Sequence, residues 1–334
     1  MPASAPSRPA ADRLLDHYAA TVRVLPWRAA PGASLTDPYR VWLSEVMLQQ
    51  TTVATVVPRF LRFVERWPTV AALAAAPDAE VLQEWAGLGY YARARNLIAC
   101  ARMVAEAGAF PDFEAGLRAL PGVGDYTAAA IAAIAFGRDC VPVDTNVERV
   151  VARLMATSDK PAIRDAAAAL VPAGRAGDFA QAMMDLGATI CRPRNPDCGA
   201  CPLSGDCRAY AMGTPEAFPV KAPRKVRLVR FGVAHWIERN GAIWLVRRPA
   251  KGLLGGMAAL PGPEWDASEA TVPSLAEVRH GFTHFELRLA VVASSTPAGE
   301  GWWQPLARLG EAGLPTLYRR AVEAVLVERK QLAA

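Results

Sequence analysis

Lysine is scarce in this sequence of 334 residues: there are only five lysines, and none of them precedes Lys160. The chain before that residue therefore has no lysine that could serve as an amine nucleophile toward a sugar. Long apolar runs are missing too, since no stretch approaches the roughly 18 to 20 residues of a membrane-spanning helix. The first dozen residues contain no apolar segment of the secretory kind, and we expect a cytoplasmic protein that makes no use of a membrane.

The composition that is present indicates a globular chain with a positive charge balance. Hydrophobic residues make up 52% of the sequence, which is enough for two domains with cores of their own. Basic residues outnumber acidic ones by 37 to 32, so the formal net charge is +5. A positive balance favours anionic partners such as nucleic acid, although it does not identify one.

Two regions with different patterns make up the chain. Residues 1–212 are rich in alanine and leucine with helical periodicity, which predicts an all-helical domain. Residues 213–226 concentrate proline and basic residues without periodicity, as an interdomain linker does. Residues 227–334 contain β-rich runs and predict a small α+β domain. The expected fold class is therefore multidomain, with an all-α lobe followed by a small α+β domain.

Local signals place several elements in the second domain. Asn240-Gly241 separates two β-rich runs, and this dipeptide is the strongest short-range signal for a hairpin. The predicted elements are strands at 227–238, 242–248 and 287–294 and an amphipathic closing helix at 316–330.

Four of the six cysteines lie close together, with the spacing C-x6-C-x2-C-x5-C; they are Cys191, Cys198, Cys201 and Cys207. Such a group in a cytoplasmic chain indicates a metal site, because disulfides are uncommon in reducing compartments. The spacing favours a 4Fe–4S cluster, since zinc sites usually pair two CxxC-like halves and this run has only one. Structural zinc remains the alternative at this point.

A glycine-containing turn and an aspartate follow one another in the middle of the first domain. The string LPGVG at 120–124 lies between two helical stretches within residues 113–136. Its glycines, Gly122 and Gly124, let backbone N–H groups turn outward and hold a DNA phosphate, although a plain helix–helix turn would look the same. Asp144, which follows about twenty residues later, is placed to cap the next helix or to do chemistry in a cleft.

An earlier helical string, VWLSEVMLQQT at 41–51, carries a lone carboxylate. Helical spacing predicts that Glu45, Gln49 and Thr52 share one face. If that face lines a cleft, desolvation would raise the pKa of Glu45 and hold a proton for a leaving base. On a surface helix, the same carboxylate would simply face solvent.

Taken together, these motifs resemble a known family. The order of LPGVG, Asp144 and the four-cysteine loop is that of the helix-hairpin-helix DNA glycosylases that carry an iron–sulfur cluster. The string around Glu45, GLGYYARARN at 87–96 and MMDLGA at 183–188 resemble more narrowly the MutY-type adenine DNA glycosylases, and the likeness covers nearly the whole chain. It implies a helix-hairpin-helix lobe with a 4Fe–4S loop at 191–207 and a Nudix-related domain at 227–334.

The resemblance also implies roles for individual residues. Glu45 would protonate adenine and Asp144 would stabilise the sugar cation, with Tyr126 and Asn146 lining the site. Two carboxyls in different environments suit this chemistry independently, because cleavage of an N-glycosidic bond passes through an oxocarbenium-like state. The other residues implied to contact DNA or the base in this lobe are Arg28, Gln49, Tyr90, Gly122 and Gly124.

Two strings in the second domain, GLLGG at 252–256 and HGFTHF at 280–285, resemble the Nudix-related domain with which this family senses 8-oxoguanine. The residues implied to sense that base are Phe282, Thr283 and His284. The family typically has serine where this chain has Thr283, so the hydroxyl is kept and an added methyl alters the fit. Without the resemblance, buried packing of Phe282 explains that aromatic residue equally well.

The expected activity is removal of adenine opposite 8-oxoguanine or guanine in double-stranded DNA, by a nucleoid-associated monomer. Lyase-type relatives attack the sugar with a lysine two residues after the second glycine of the hairpin, and this chain has Tyr126 there. We therefore expect a monofunctional glycosylase that leaves an abasic site.

An endonuclease III-type glycosylase/lyase is the second enzyme hypothesis. A non-catalytic DNA-binding protein with a redox-sensing cluster is the alternative from another class, and it leaves Glu45 and Asp144 unexplained.

Overall fold

A computed structural model gives the fold and describes residues 9–33, 36–220, 227–249, 252–266, 268, 273–282, 284–297 and 299–332. By its internal contacts the chain divides into two compact units, one comprising Met1–Ala75 and Ala99–Pro223 and the other Ala76–Ile98 and Arg224–Ala334. The linker at 213–226 stays a prediction, because residues 221–226 lie outside the described part. Within the described ranges, no helix combines the length and apolar composition that crossing a bilayer requires.

The chain up to Val220 folds into helices, and its described part contains no strand. This confirms the predicted all-helical lobe. The helices are α1 (Ala10–Thr21), α2 (Pro38–Leu48), α3 (Val53–Arg66), α4 (Val70–Ala75), α5 (Asp78–Glu84), α6 (Ala92–Ala107), α7 (Glu114–Arg118), α8 (Asp125–Phe136), α9 (Thr145–Met155), α10 (Lys160–Ala169), α11 (Ala176–Thr189) and α12 (Arg208–Ala211).

Helix α8 forms the centre of the first unit. Every residue from Thr127 to Ala135 is buried, as expected of a helix that is apolar on all sides. Gly137 ends the helix in the left-handed conformation, with φ at +64°. Helices α2, α7 and α11 pack against α8, and α11 in turn contacts α9. This packing brings the elements that carry the predicted site residues into one neighbourhood.

Helix α2 is shorter than the sequence pattern predicts. It ends at Leu48, and Gln50 adopts a left-handed φ of +56°. Thr52 lies beyond that turn, where its side chain caps the start of α3. The predicted helical face of Glu45, Gln49 and Thr52 is therefore wrong, because the chain leaves the helix after Leu48.

The strands of the described chain belong to the second unit and form two sheets. In one sheet β6 lies between β1, which is parallel to it, and β5, which is antiparallel. In the other, β3 pairs antiparallel with β2, β4 and β7. The elements are β1 (Leu228–Trp236), β2 (Glu238–Arg239), β3 (Ala242–Arg247), β4 (Ala258–Ala259), β5 (Ala276–Gly281), β6 (Phe285–Ala293), β7 (Gly301–Pro305) and α13 (Thr316–Leu332).

The first β-rich run divides between the two sheets. One strand was expected over 227–238, but the chain bends at Ile237, whose carbonyl accepts a hydrogen bond from the N–H of Trp244 at 2.9 Å. The hairpin at Asn240-Gly241 is confirmed, with φ angles of +50° and +71° that a type I′ turn requires. Strands β3 and β6 and helix α13 confirm the other predicted elements, whereas β4, β5 and β7 were not predicted. The core of this unit takes side chains from both sheets and from α13.

Candidate active site

A cavity of about 720 Å³ opens in the first unit. Its walls come from the segment before α2, from α2 and the turn after it, and from α8, α9 and α11. Six of the predicted site residues line it, namely Arg28, Glu45, Gln49, Tyr126, Asp144 and Asn146. Residues that are far apart in the sequence therefore meet at one place.

Glu45 is buried in the wall of this cavity, with 7% of its surface exposed. The pKa of its carboxyl is raised to about 7, chiefly because burial disfavours the charged form. A hydrogen bond from the Tyr126 hydroxyl and the positive charge of Arg28 oppose this shift, whereas the charge of Asp144 adds to it. At neutral pH a large share of Glu45 thus carries the proton that a general acid must donate.

Asp144 caps α9 and lines the same cavity. Its carboxylate accepts hydrogen bonds from the backbone N–H groups of Asn146 at 2.8 Å and Val147 at 2.7 Å, and from the Asn146 side-chain amide at 2.8 Å. These donors and the positive end of the helix dipole stabilise a negative charge. The capping role and the cavity position are therefore compatible, and they hold the carboxylate in one orientation.

Arg28 reaches the cavity from the segment before α2, and Asp185 on α11 holds its guanidinium. The two groups form a bidentate pair, with Nη1 donating to Oδ2 at 2.7 Å and Nη2 donating to Oδ1 at 2.9 Å. Arg23 donates to the same carboxylate through Nε at 2.7 Å. Burial favours a higher pKa for Asp185, but its hydrogen bonds to Arg28 and Arg23 outweigh burial and lower the pKa. Sequence reasoning did not single out Asp185.

The turn after α2 contributes both a side chain and an unusual backbone conformation. Gln49 donates from Nε2 to the Thr127 hydroxyl at 3.3 Å, across the cavity wall from α8. Gln50 also lines the cavity, and its left-handed backbone is uncommon for a residue other than glycine. Such conformations cluster at functional sites, so Gln50 belongs with the candidate site although its sequence context gave no signal.

The predicted phosphate-binding glycines form an exposed turn before α8. Gly122 has a φ of +75°, and Gly124 is the N-terminal cap of the helix. Neither glycine lines the cavity. Asp125 follows in the first turn of α8, where its side chain is 84% exposed and lies 3.3 Å from Arg118. The turn therefore presents backbone to solvent, with one carboxylate beside it.

Tyr90 belongs to the second unit and lies in a tightly turning segment. Gly87, Gly89 and Tyr90 all have positive φ angles, of 98°, 70° and 48°. The Tyr90 side chain is 47% exposed, and the Arg93 guanidinium lies over its ring at 5.5 Å. Tyr91 is buried instead, as expected for a packing residue. Tyr90 is thus an accessible aromatic on a constrained backbone.

The connection between β5 and β6 carries the residues predicted to sense 8-oxoguanine. Thr283 lies outside the described residues. The ring of Phe282 is half-buried, stacked on Phe285 at 4.8 Å between centroids and tilted against Trp265 at 5.5 Å. His284 is exposed. Phe282 therefore fixes this connection to the core, while the imidazole of His284 is accessible to solvent.

The four clustered cysteines line one small cavity, and none of the four forms a disulfide. Arg153 donates from Nη1 to the Cys191 sulfur at 3.3 Å, which suits a thiolate. Among the described residues, no three His, Cys, Asp or Glu side chains are arranged to hold a single metal ion. Four thiols that line one cavity are the ligand set that an iron–sulfur cluster uses. When bound, such a cluster would tie this segment together through four iron–thiolate bonds.

Helix α9 connects the cysteine loop with the aspartate site. Arg149 donates from Nε to the Cys191 carbonyl at 2.8 Å and from Nη2 to the Asn146 side-chain oxygen at 2.9 Å. On α11, Gly187 leaves space for Asn146, because a Cβ at that glycine would lie 2.6 Å from the Asn146 Cβ. The position of Asn146, and through it that of Asp144, therefore depends on the loop and on α11.

The raised pKa of Glu45 predicts a pH-dependent stability. The folded state holds this proton up to about pH 7, whereas an ordinary glutamate loses it near 4.5. Wild-type stability should therefore fall between these two pH values, by roughly 3 kcal/mol at most. In Glu45→Gln the side chain at position 45 does not titrate. The melting temperature of this variant minus that of wild type should therefore be larger at pH 8 than at pH 5. Equal differences at the two pH values, measured by thermal denaturation, would contradict the assignment.

Three sequence-family profiles match separate segments of the chain. The profile of the HhH-GPD superfamily base excision DNA repair proteins matches residues 43–173. The iron–sulfur binding domain of endonuclease III matches residues 191–207, and a NUDIX domain matches residues 232–324. These matches confirm the predicted fold class, and the chain carries a 4Fe–4S cluster in the cysteine loop.

Curated and solved relatives agree with the profiles. An adenine DNA glycosylase of Rattus norvegicus is 36% identical over an alignment that covers 86% of this chain and 72% of that protein. One of Arabidopsis thaliana is 39% identical over 74% of this chain, and the match spans 46% of its own length. A solved non-covalent complex of endonuclease III with DNA aligns with a TM-score of 0.52 and 27% identity, over 61% of this chain and 94% of that one. With this extent of likeness across both of its domains, the chain belongs to the adenine DNA glycosylase family.

Proposed function

We propose that this chain is a monofunctional glycosylase that removes adenine paired with 8-oxoguanine or guanine in double-stranded DNA. Its family hydrolyses N-glycosidic bonds, and the proposal adds the substrate and the residues. The observation that carries it is the pair of carboxyls in one cavity, Glu45 with a pKa of about 7 and Asp144 held as an N-cap. Acid-assisted departure of a base requires one protonated and one charged carboxyl.

Glu45 acts as the general acid in this proposal. Its proton passes to a ring nitrogen of adenine while the bond from that base to the sugar breaks, and the bonding electrons leave with the base. The Tyr126 hydroxyl, which interacts with Glu45, is proposed to help orient the carboxyl. Because neutral adenine is a poor leaving group, this proton transfer lowers the barrier by an amount typical of general acid catalysis.

Asp144 stabilises the positive charge that develops on the sugar in this proposal. Its orientation is fixed by Asn146 and by the backbone at the start of α9. Whether the oxygen stabilises the cation by charge alone or bonds to the sugar carbon, the role needs a carboxylate. Water then adds to the sugar and completes the hydrolysis.

Strand cleavage through a Schiff base is not part of the proposal. No lysine is found among the described residues that line the cavity, and Tyr126 stands two residues after Gly124. Without an amine the sugar cannot form the imine from which strand cleavage proceeds. The expected product is therefore an intact strand with an abasic site, which argues against the endonuclease III-type lyase as the alternative.

The proposal includes several contacts with DNA. The exposed glycine turn before α8 holds a phosphate, and the adenine leaves the base stack at a cost of about a few kcal/mol. Gln49, which lines the cavity, is proposed to fill part of the gap that the adenine leaves. The same role is proposed for the exposed ring of Tyr90 on the strength of the family likeness alone. The formal net charge of +5 favours binding to DNA, and the protein is proposed to act on the nucleoid as a monomer.

A charge change at Asp125 tests the phosphate contact. This exposed carboxylate stands beside the glycine turn and pairs with Arg118, so it opposes a phosphate and occupies a guanidinium. Asp125→Asn should tighten DNA binding about two- to fivefold at low salt, and less at high salt. The measurement is a binding titration with an abasic-analogue duplex, with Asp165→Asn on α10 as the matched charge control. Equal affinities for Asp125→Asn, Asp165→Asn and wild type would show that the glycine turn does not bind the phosphate.

Recognition of 8-oxoguanine is assigned to the β5–β6 connection. Phe282 is held by Trp265 and Phe285, which gives the connection a fixed base, and His284 is exposed for a hydrogen bond to a purine edge. Thr283 is proposed to add its hydroxyl on the strength of the family likeness alone.

The direct test of the substrate is release of free adenine under single-turnover conditions. Duplexes with adenine opposite 8-oxoguanine, guanine or thymine should react in that order, with the thymine duplex untouched. Equal rates on all three duplexes would show that the protein has no specificity for mispairs. No release from any duplex, with DNA binding retained, would favour the non-catalytic DNA-binding protein.

A further inference from the structure

The first unit contains a buried carboxylate that the proposed reaction does not use. Asp185 is 8% exposed and does not itself line the cavity. Its two oxygens accept hydrogen bonds from two guanidiniums, those of Arg23 and Arg28, and both of these arginines do line the cavity. A single carboxylate thus lies behind the cationic part of the cavity wall.

We propose that Asp185 is a positioning residue that fixes the guanidinium of Arg28 in the cavity wall and balances its charge, so that this charge does not act in full on Glu45. The inference rests on the proposed function, in which Glu45 donates a proton. The geometry supports it because a bidentate pair, with bonds of 2.7 and 2.9 Å, leaves the guanidinium one orientation. The side chains of Arg28 and Asp185 are 8% and 11% exposed, so solvent screens the pair little.

The charges that face Glu45 come from three elements. Tyr126 on α8 donates a hydrogen bond to it, and Asp144 at the start of α9 adds a negative charge; Glu148 lines the cavity one turn further along α9. From the segment before α2 come Arg28 and Arg23.

Of these groups, Arg28 is the cation that lowers the pKa of Glu45. Without the carboxylate of Asp185, the two guanidiniums would lose the counter-ion that they share, and the charged form of Glu45 would gain stability. Glu45 would then lose its proton at a lower pH.

The experiment is the pH dependence of single-turnover adenine release from a duplex with adenine opposite 8-oxoguanine. In Asp185→Asn the alkaline loss of activity should move to lower pH by about one unit, which means a rate about tenfold lower at pH 8 and little changed at pH 5.5. Asp165→Asn, which removes an exposed carboxylate from α10, should leave the midpoint in place. A uniform loss of rate in Asp185→Asn, with an unchanged midpoint, would show a merely structural role and overturn the inference.

A second variant keeps the test decisive if Asp185→Asn does not fold. Arg28→Gln removes the cation itself, so the alkaline midpoint should move to higher pH, opposite to the effect of Asp185→Asn. An unmoved midpoint in Arg28→Gln would refute the inference, because Asp185 is argued to act through that guanidinium. Failure of the proposed function gives other results. Either wild type would release no adenine, or Glu45→Gln would release it as fast as wild type. Each of these results would refute the inference together with the proposed function.

Discussion

Glu45→Gln should release adenine about 10²- to 10⁴-fold more slowly than wild type at neutral pH, the range expected when a general acid is removed. Glutamine keeps the size of the side chain and can still accept the hydrogen bond of the Tyr126 hydroxyl, so the cavity should keep its shape. The amide N–H groups are too weakly acidic to protonate the leaving base. In wild type the rate should fall as the pH rises through about 7, because Glu45 then ionises. Single-turnover rates between pH 5.5 and 9 measure both effects.

The pattern of loss separates chemistry from binding. Affinity for a duplex that carries a non-cleavable adenine analogue should stay within about threefold of wild type, since the substitution changes one buried atom and no exposed charge. The residual rate of Glu45→Gln should also lack the alkaline loss near pH 7. A variant that retains wild-type rates, or that retains the same alkaline loss, would assign the proton donor to another group.

Asp144→Asn should slow adenine release by about 10²- to 10³-fold, as expected when a preorganised charge is removed from a developing cation. An asparagine oxygen can still accept the N–H bonds of Asn146 and Val147, so α9 should keep its cap. The loss therefore reports on the charge and not on the helix. Single-turnover rates at pH 6, where Glu45 is mostly protonated, isolate this effect.

Asp159 provides the matched control, because it caps a helix and has no proposed role in the reaction. It caps α10 by accepting a hydrogen bond from the N–H of Ala162, and its environment is exposed. Asp159→Asn makes the same chemical change at a helix start and should leave the rate of release unchanged. Comparable losses in Asp144→Asn and Asp159→Asn, or a wild-type rate in Asp144→Asn, would show that Asp144 acts as a cap alone.

Much of the candidate site could be anticipated from the sequence because its signals are local. LPGVG marks the turn before α8, and Asp144 stands in front of an amphipathic segment, where an N-cap is expected. The cysteine spacing identifies its loop in the same way. These patterns, together with the family likeness, predicted six residues that the fold brings into one cavity, and their roles stay predictions.

The features that sequence reasoning missed depend on contacts between distant segments. Asp185 lies between Met184 and Leu186 in an apolar stretch, and its partner Arg28 is 157 positions away, so no periodicity indicates the pair. The end of α2 was missed for another reason. The residues after Leu48 include no glycine or proline, and Gln50 alone adopts the left-handed conformation that ends the helix. In the second unit, the bend at Ile237 depends on which sheet each half of the run joins, which local β propensity does not encode.

The measurement that tests the central claim most directly is strand breakage in a duplex with adenine opposite 8-oxoguanine, analysed with and without alkali after one turnover. Wild type should give breaks mainly after alkali, because hydrolysis assisted by Glu45 and Asp144 leaves an abasic site in an intact strand. Glu45→Gln should give few breaks under either condition. Breaks by wild type without alkali would contradict the account, since they would require an amine that the cavity does not contain among its described lining residues.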